Sequence, residues 1–276
     1  MSFSRARHYL MCAPRYFDVV YAINPWMDVD APVDHALAVR QWETLVATYG
    51  ELGHRVDLLT PQPHLPDMVF AANGATVVDG RVLTARFATA QRAPEADHHL
   101  AWHQRNAVRL GWSAVTSPTY VNEAEGDYAV LGDVVLAGYG FRTDRRAHPE
   151  MATSTGRPVV SLRLVDDRFY HLDTALAVLD DTPGQGQIAW YPPAFDEASQ
   201  DVVRRMFPEA VEADETDALV LGLNLVSDGS NVVVPAQAEK LAAQLAERGL
   251  VPAPVDLSEL LKGGGSVKCC TQELRP

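Results

Sequence analysis

The sequence predicts an α/β protein built as a ring of repeated units, and three observations support this fold class. Predicted hairpin turns fall near Gly80, Gly132, residue 182 and Gly229, at a spacing of roughly 50 residues. A helical segment precedes each turn, and no low-complexity linker interrupts the series. A fixed element order at this period is typical of repeat architectures, and the 276 residues hold roughly five units, enough to close a ring. We therefore expect residues 1–276 to form one domain.

The first half of the chain contains strands and helices bounded by proline and glycine. Apolar residues at helical spacing over residues 34–49 stop at Gly50, and a second helix begins at Pro94 and ends before Gly111. Asp79-Gly80 is a strong hairpin signal, because both residues tolerate a positive φ. In order, we predict strand 8–13, helix 34–49, strands 56–59 and 68–72, hairpin 76–84, helix 94–110 and strand 114–116.

The second half repeats the same succession of elements. Gly132-Asp133 and Ser227-Asp228-Gly229 are turn sequences, and Gly249 is placed to end the most amphipathic helix. In order, we predict hairpin 128–138, a short helix over 148–154, strand 159–165, a hairpin turning between 180 and 185, helix 195–207, hairpin 219–234, helix 236–248 and a final strand-like piece.

Composition bounds the class of partner and the compartment. The net charge of −13, from 23 basic and 36 acidic residues, disfavours nucleic acid and anionic membranes, because both need a basic footprint. Three cysteines, two of them adjacent, provide no disulfide framework, which favours a reducing compartment. No signal peptide and no membrane span is indicated. We expect a soluble cytoplasmic protein with a small-molecule partner, and a homo-oligomer is compatible with the sequence.

Polar residues recur at comparable places before the predicted hairpins. They are Asn73, Glu123, His171 with Asp173, Asn224 and Cys269. In a ring of repeats such positions face one axis, so a thiol, an imidazole, carboxylates and amides are predicted to converge in a cleft. That set is typical of a thiol nucleophile with acid/base and orienting groups. Each residue alone also has a structural interpretation, such as a strand cap, a solvated carboxylate or an ordinary Asn-Gly turn.

The C-terminal segment contains the candidate nucleophile. Gly263 to Gly265 form a loop that can approach a ligand closely, and Lys268, Cys269 and Cys270 follow. A nearby cation favours the nucleophilic thiolate, although both cysteines are also compatible with small core residues. Zinc on Cys269, Cys270 and His171 is disfavoured, because no C-x2-C or H-x3-H spacing exists. The phosphate-loop and serine-elbow motifs are also absent, so we predict no metal and no cofactor.

Several segments together resemble a known family, the guanidino-group-modifying enzymes, which include arginine deiminases, dimethylarginine hydrolases and arginine dihydrolases. The similarity is greatest to the arginine dihydrolase domain of cyanobacteria, with dimethylarginine dimethylaminohydrolase next. The resemblance implies a five-bladed α/β propeller, the pentein fold, with ββαβ-type repeats. The segments that carry the resemblance are 11–14, 23–27, 66–73, Glu123 with Gly126-Asp127, 138–142, 169–174 and 263–269.

The resemblance also implies roles for individual residues. Cys269 would be the nucleophile, with Cys270 pointing away, and His171 with its partner Glu123 would perform acid/base catalysis. The substrate-binding residues implied are Asn73 and Asp173 for the guanidinium, Arg142, Arg86 and Asn24 for the α-carboxylate and α-amine, and Phe70. Asn122 and Ala124 depart from the Phe and Gly that usually flank the family glutamate.

Asn73 separates the possible activities, because deiminases and dimethylarginine hydrolases have Asp at this point. An amide both donates and accepts, so it suits the neutral urea group of citrulline and permits a second hydrolysis. The resemblance therefore implies an arginine dihydrolase, which converts arginine to ornithine, ammonia and carbon dioxide through a thiouronium on Cys269. Dimethylarginine dimethylaminohydrolase and arginine deiminase are the enzymatic alternatives, and a protein-binding propeller is the alternative without catalysis.

Overall fold

Five small sheets of three strands each form the architecture of residues 5–276, the part of the chain that the computed structural model describes. The strands, in chain order, are β1 His8–Cys12, β2 Arg55–Leu59, β3 Ala75–Val78, β4 Arg81–Thr84, β5 Ala114–Thr116, β6 Tyr128–Leu131, β7 Val134–Tyr139, β8 Val159–Arg163, β9 Leu176–Asp180, β10 Gln187–Trp190, β11 Val211–Glu212, β12 Val226–Ser227, β13 Asn231–Pro235, β14 Val251–Val255 and β15 Gln272–Glu273. The helices are α1 His35–Glu51, α2 Glu95–Leu110, α3 Ala147–Thr155, α4 Glu197–Met206, α5 Glu215–Ala218, α6 Glu239–Glu247 and α7 Ser258–Leu261.

Each sheet is one blade with the same ββαβ connectivity. An antiparallel hairpin is followed by a helix, and the next strand returns parallel to the second hairpin strand, as in β3-β4-β5 and β6-β7-β8. Sheets β9-β10-β11 and β12-β13-β14 repeat this order. The predicted five-bladed α/β propeller is therefore confirmed, with one blade for each period of the sequence.

The fifth blade joins the two ends of the described chain. Strand β15 pairs antiparallel with β1, in the registers Tyr9 with Glu273 and Leu10 with Gln272, and β1 pairs parallel with β2. The Leu274 N–H also donates to the His8 carbonyl at 2.8 Å. The ring is therefore closed by hydrogen bonds between the last strand and the first.

Local chemistry explains the element boundaries. The Asp34 carboxylate caps α1 by accepting the Leu37 N–H, and the left-handed Gly111 ends α2 at a φ of 72°. Asp79 and Gly80 have φ values of 48° and 66°, which are the signs that a type I′ hairpin turn requires. The predicted helices and hairpin turns are confirmed, with boundaries shifted by a few residues.

Two predicted strands are wrong. Residues 68–72 lie in the successive 3₁₀ turns Pro66–Val69 and Ala71–Asn73, because their N–H groups bond locally, as Asn73 does to the Phe70 carbonyl. Residues 219–225 are turns, and the hairpin strand that follows them is only Val226–Ser227. An apolar run indicates burial in both cases, but it does not distinguish an extended backbone from a tight turn.

A short 3₁₀ turn precedes the first strand in three of the blades. In these turns the Asn73, Gly126 and Thr174 N–H groups donate to the carbonyls of Phe70, Glu123 and His171, at 3.2, 3.1 and 3.3 Å. Phe70, Glu123 and His171 therefore occupy equivalent places, each five residues before its strand. The predicted shared register corresponds to these turns rather than to the strands themselves.

No helix among residues 5–276 is long and apolar enough to cross a membrane.

Three buried histidines make the stability of the fold sensitive to acid. Burial lowers the pKa of His99 well below its usual 6.5, and it lowers the pKa values of His103 and His148 to about 4. Both ring nitrogens of His99 lack a partner within residues 5–276, so protonation there would create an unpaired buried charge. Between about pH 6.5 and 4 the unfolded chain binds more protons than the folded chain, so stability falls as pH falls.

We therefore expect the free energy of unfolding to drop by a few kcal/mol between pH 7 and pH 5, measured by urea titration. Replacing His99 with Leu should reduce this pH dependence, whereas His35→Gln at an exposed site should leave it intact. Equal pH slopes in all three proteins would contradict this assignment.

Candidate active site

A glycine loop and the turn before β15 position the thiol of Cys269. A Cβ atom added to Gly263 would approach the Phe70 ring to 3.0 Å, and one added to Gly264 would approach Asn24 to 2.7 Å. Gly264 also has a φ of 82°, which residues with side chains resist. The loop is glycine-rich because it lies directly against Phe70 and Asn24, two of the predicted substrate-binding residues.

The Cys269 sulfur lies between a carboxylate and an amide. Its Sγ donates to Asp173 Oδ2 at 3.3 Å and accepts from Asn224 Nδ2 at 3.2 Å, and the residue is only 2% exposed. Burial, and then the negative charge of Asp173, raise the pKa of the thiol well above its usual 9.0. The resting site therefore holds a protonated thiol, which must lose its proton before it can react as a nucleophile.

Lys268 does not act as the thiol's cation, contrary to the interpretation of the sequence. Its amine forms an ion pair with Glu125 and donates to the Thr271 carbonyl at 2.8 Å. Cys270 is buried in an apolar cluster, and burial raises the pKa of its thiol. The two adjacent cysteines lie in the turn before β15 rather than on a strand, and they have different environments.

His171 and Glu123 form a buried imidazole–carboxylate pair. His171 Nε2 lies 2.7 Å from Glu123 Oε2, and Glu123 also accepts from Arg142 at 3.1 Å and from the Ala88 N–H at 3.0 Å. Burial alone would raise the pKa of Glu123, but its hydrogen bond to His171 and the charges of His171 and Arg142 hold it well below the usual range. Glu123 is therefore ionised, and His171 Nδ1 has no hydrogen-bond partner within residues 5–276.

Arg142 connects the His171–Glu123 pair to the segment that contains Asn24. Its guanidinium donates to the Ile23 carbonyl at 2.6 Å and lies over the Tyr170 ring at 4.7 Å. The Tyr170 hydroxyl donates to the Gly264 carbonyl at 2.7 Å, and Asn24 Nδ2 donates to the Gly263 carbonyl at 3.1 Å. Arg142 and Asn24 are thus brought to the same side of the glycine loop.

Asn73 has a fixed amide orientation. Its Oδ1 accepts from Arg92 at 2.7 Å, and its Nδ2 donates to the Glu123 backbone carbonyl at 3.3 Å. Arg92 is 3% exposed, stacks on Phe87 at 4.8 Å and pairs with Glu95. Sequence reasoning missed Arg92, because it follows no motif and reaches the site only through the fold.

Asp67 is a second residue that sequence reasoning missed. Its carboxylate is buried, with Oδ2 accepting from the Tyr21 hydroxyl at 2.9 Å and Oδ1 without a partner among residues 5–276. Burial raises its pKa, and the positive charge of Arg92, 4.0 Å away, opposes that rise. Asp67 lies inside segment 66–73, so the resemblance contained the signal, although the residue was not singled out.

The structure brings together eight of the nine predicted site residues. They are Cys269, His171, Glu123, Asn73, Asp173, Arg142, Asn24 and Phe70. Arg86 is the exception: it is exposed, and its guanidinium donates to the Thr119 carbonyl at 2.6 Å. Its backbone forms an antiparallel bridge with Asn122. Arg92 lies beside Asn73 instead.

The set of acceptors in the site matches a planar cation with several N–H donors. Asp173 Oδ1 and Asp67 Oδ1 are buried carboxylate oxygens without partners in the described chain. A guanidinium presents N–H groups in a fork geometry that such oxygens accept. Across residues 5–276 no cluster of three or more His, Cys, Asp or Glu side chains could hold a metal ion.

Two comparisons with curated proteins assign the family, although no family model matches the chain. The chain is 54% identical over 272 residues to an N(G),N(G)-dimethylarginine dimethylaminohydrolase of Mycobacterium tuberculosis, covering 99% of this chain and 87% of that protein. It is 37% identical over 268 residues to the bifunctional arginine dihydrolase/ornithine cyclodeaminase ArgZ of Synechocystis, covering 95% of this chain and 37% of ArgZ. It therefore matches one part of that bifunctional enzyme.

Solved structures agree with this grouping. The N-terminal domain of ArgZ, covalently bound to a reaction intermediate, superposes with a TM-score of 0.89 at 35% identity over 98% of both chains. A dimethylarginine dimethylaminohydrolase adduct superposes with a TM-score of 0.75 at 20% identity over 98% of this chain and all of that one, which supports the fold alone. Because these relatives are named as hydrolases, the alternative of a non-catalytic binding propeller is set aside. The chain therefore belongs to the guanidino-group-modifying enzymes of the amidinotransferase superfamily, and it is a hydrolase that acts on guanidino C–N bonds.

Proposed function

We propose that the protein hydrolyses arginine twice, to ornithine, ammonia and carbon dioxide, with Cys269 as the nucleophile. The observation that carries this proposal is the amide of Asn73, which lies beside the Glu123–His171 pair in a site rich in carboxylates. We further propose that residues 1–276 form one propeller domain that contains the whole site. A cytoplasmic location and a homo-oligomeric state stay predictions.

In the first step, the substrate cation activates the thiol. A guanidinium held by Asp173 and Asp67 offsets the negative charge that opposes ionisation of Cys269. The Cys269 sulfur then attacks the guanidinium carbon, and His171 carries a proton to the departing nitrogen, which leaves as ammonia. The carbon remains bonded to sulfur as a thiouronium.

In the second step, water replaces sulfur on the same carbon. His171 takes a proton from the water, the new C–O bond forms, and the C–S bond breaks to regenerate the thiol and release citrulline. Glu123 holds His171 in one orientation throughout, because its carboxylate accepts from the ring at 2.7 Å.

Asn73 supports a second round on citrulline. Its Nδ2 carries two hydrogens, of which one is directed at the Glu123 carbonyl, so the other is available to the urea oxygen of citrulline. A carboxylate at this point would offer that oxygen no donor. Arg92 fixes the orientation of the Asn73 amide: the amide oxygen accepts from the Arg92 guanidinium, and the amide nitrogen faces the Glu123 carbonyl.

Dimethylarginine dimethylaminohydrolase is the second candidate, favoured by the 54% identity to the Mycobacterium tuberculosis relative along nearly the whole chain. The same thiol and imidazole chemistry would release dimethylamine and stop at citrulline.

Incubating the purified protein with arginine, citrulline or dimethylarginine, and then identifying the products, separates these candidates. We expect ornithine and two equivalents of ammonia from arginine, as well as turnover of added citrulline. Accumulation of citrulline alone, or consumption of dimethylarginine far faster than arginine, would assign the second candidate or a deiminase.

The adjacent cysteines offer a matched test of the nucleophile. Cys269→Ser should lower turnover at least about 1,000-fold, because the alcohol does not ionise near neutral pH. Cys270→Ser should retain most activity, since this thiol is buried among apolar residues. Acid-quenched reactions analysed by mass spectrometry should show one substrate-derived adduct on Cys269. Undiminished turnover in the Cys269 variant would exclude the covalent route.

Asn73→Asp tests the second round. The substitution is nearly isosteric, and Arg92 is positioned to pair with the new carboxylate, so arginine should still react. The carboxylate would face the urea oxygen of citrulline and the Glu123 carbonyl without a donor, at a cost of about 1–3 kcal/mol. The second hydrolysis should slow roughly 5- to 150-fold, so that citrulline is released. An unchanged ratio of ornithine to citrulline would remove Asn73 from this role.

A further inference from the structure

Asn224 lies in the turn before β12, in the blade that neighbours the glycine loop, and its side chain is fully buried. Within residues 5–276 its side chain forms four hydrogen bonds, which involve Ser266, Cys269 and Asp173. Its Oδ1 accepts from the N–H groups of Cys269 at 3.0 Å and Ser266 at 3.1 Å. Its Nδ2 donates to the Asp173 carbonyl at 3.1 Å and to the Cys269 sulfur at 3.2 Å.

These four contacts couple the two sides of the thiol. The two hydrogen bonds to Oδ1 fix the backbone at Ser266 and at Cys269. The backbone carbonyl of Asn224 also accepts the Lys268 N–H at 3.0 Å. The Nδ2 bonds fix the backbone of Asp173 and direct an N–H group at the sulfur. One amide therefore sets the position of the nucleophile relative to the carboxylate beside it.

The N–H group directed at sulfur has a chemical consequence. A neutral thiol gains little from such a donor, whereas a thiolate accepts a charge-assisted hydrogen bond that is roughly twice as strong. Three other features at the sulfur favour the neutral form: burial removes water, Asp173 is negative, and Cys270 is a second thiol. The Ser266 backbone hydrogen bond also favours ionisation. Lys268 is directed towards Glu125 instead.

We propose that the side-chain oxygen of Asn224 orients the Cys269 thiol and that its side-chain N–H stabilises the thiolate, so that the nucleophile forms beside Asp173. This role rests on the proposed function of Cys269 as the nucleophile. Asn224 supplies to the sulfur what the neighbouring carboxylate cannot, namely a donor.

Asn224→Asp separates the two halves of this role. It keeps an oxygen for the Cys269 and Ser266 N–H groups but replaces the donor at sulfur with an acceptor. Asn224→Ala removes both halves. Asn106→Asp is the matched control, because it adds the same charge on α2, where Arg109 already donates to the side-chain oxygen. Folding of each variant is checked by thermal melting.

The readout is the rate of Cys269 alkylation by iodoacetamide between pH 7 and pH 10, quantified by peptide mass spectrometry. Both Asn224 variants should shift the pH dependence upwards by about one to two units, which corresponds to about 10- to 100-fold slower alkylation at pH 8. The Asn106 control should match the parent. Cys12 and Cys270, which are buried, provide internal references.

The same variants should lower the kcat for arginine by a similar factor with a smaller change in KM, because the Asn224 side chain bonds to Cys269, Ser266 and the Asp173 backbone rather than to the Asp173 carboxylate. If a folded Asn224 variant alkylates at the parental rate and pH dependence, the proposal is overturned. If the aspartate variant does not fold, the alanine variant decides by the same criterion. Because alkylation requires no guanidino substrate, this result is independent of whether arginine is turned over.

Discussion

The pairing of β15 with β1 is the interaction on which the rest of the structure depends. It has only two registered residue pairs, yet it closes the ring and fixes Cys269 three residues before β15. Partly buried ion pairs reinforce this junction: Arg7 pairs with Asp181 and Glu273, while Arg275 pairs with Glu125 and Glu273. Lys268 belongs to the same charge network through its ion pair with Glu125. It therefore stabilises the junction of β15 with β1 rather than acting as a cation for the thiol. Closure of the ring therefore also positions Cys269, the proposed nucleophile.

Two of the buried carboxylates in the ring, those of Asp173 and Asp67, lack a closely paired cation within residues 5–276. Glu123 is paired with Arg142, and Glu95 with Arg92. Within residues 5–276 Asp173 forms no ion pair, and burial raises its pKa to about 6. Asp67 has a cation only at 4.0 Å. In the proposed mechanism, a cationic substrate would supply the positive charge that these carboxylates lack, and it would lower the cost of ionising Cys269. In the proposed mechanism, binding of arginine and activation of the thiol are therefore one electrostatic event.

The sequence contained enough information for the ring but not for all of the site. Turn chemistry is local, so Asp79-Gly80 and Gly111 predicted their positions correctly. Apolar runs carry no such detail, so residues 68–72 and 219–225 were assigned as strands although their backbone forms turns. The resemblance implies Arg86 as a substrate-binding residue, but no motif indicates Arg92, which lies over the Phe87 ring and donates to Asn73. Asn224 was noted for its register, but its contact with sulfur depends on a packing that no local pattern encodes.

The repeat supplies equivalent positions, and the site arises because those positions carry different residues. Five residues before the strand, three of the blades have Phe70, Glu123 and His171. In the proposed mechanism these are an apolar wall, an anchor for the imidazole and the acid/base. Three residues before it stand Asp173 and Cys269, and two before it stand Asn73 and Asn224. A symmetric ring would place identical groups around its axis and could not polarise a substrate. The fold therefore brings these positions together, and the sequence makes them chemically different. In the proposed mechanism, the His171–Glu123 pair lies on one side of the substrate's guanidinium carbon, and the Cys269 thiol with its amide donor lies on another. Asn73 and Asn224 therefore occupy equivalent positions with different proposed roles. Asn73 would face the urea oxygen of citrulline, whereas Asn224 donates to the Cys269 sulfur.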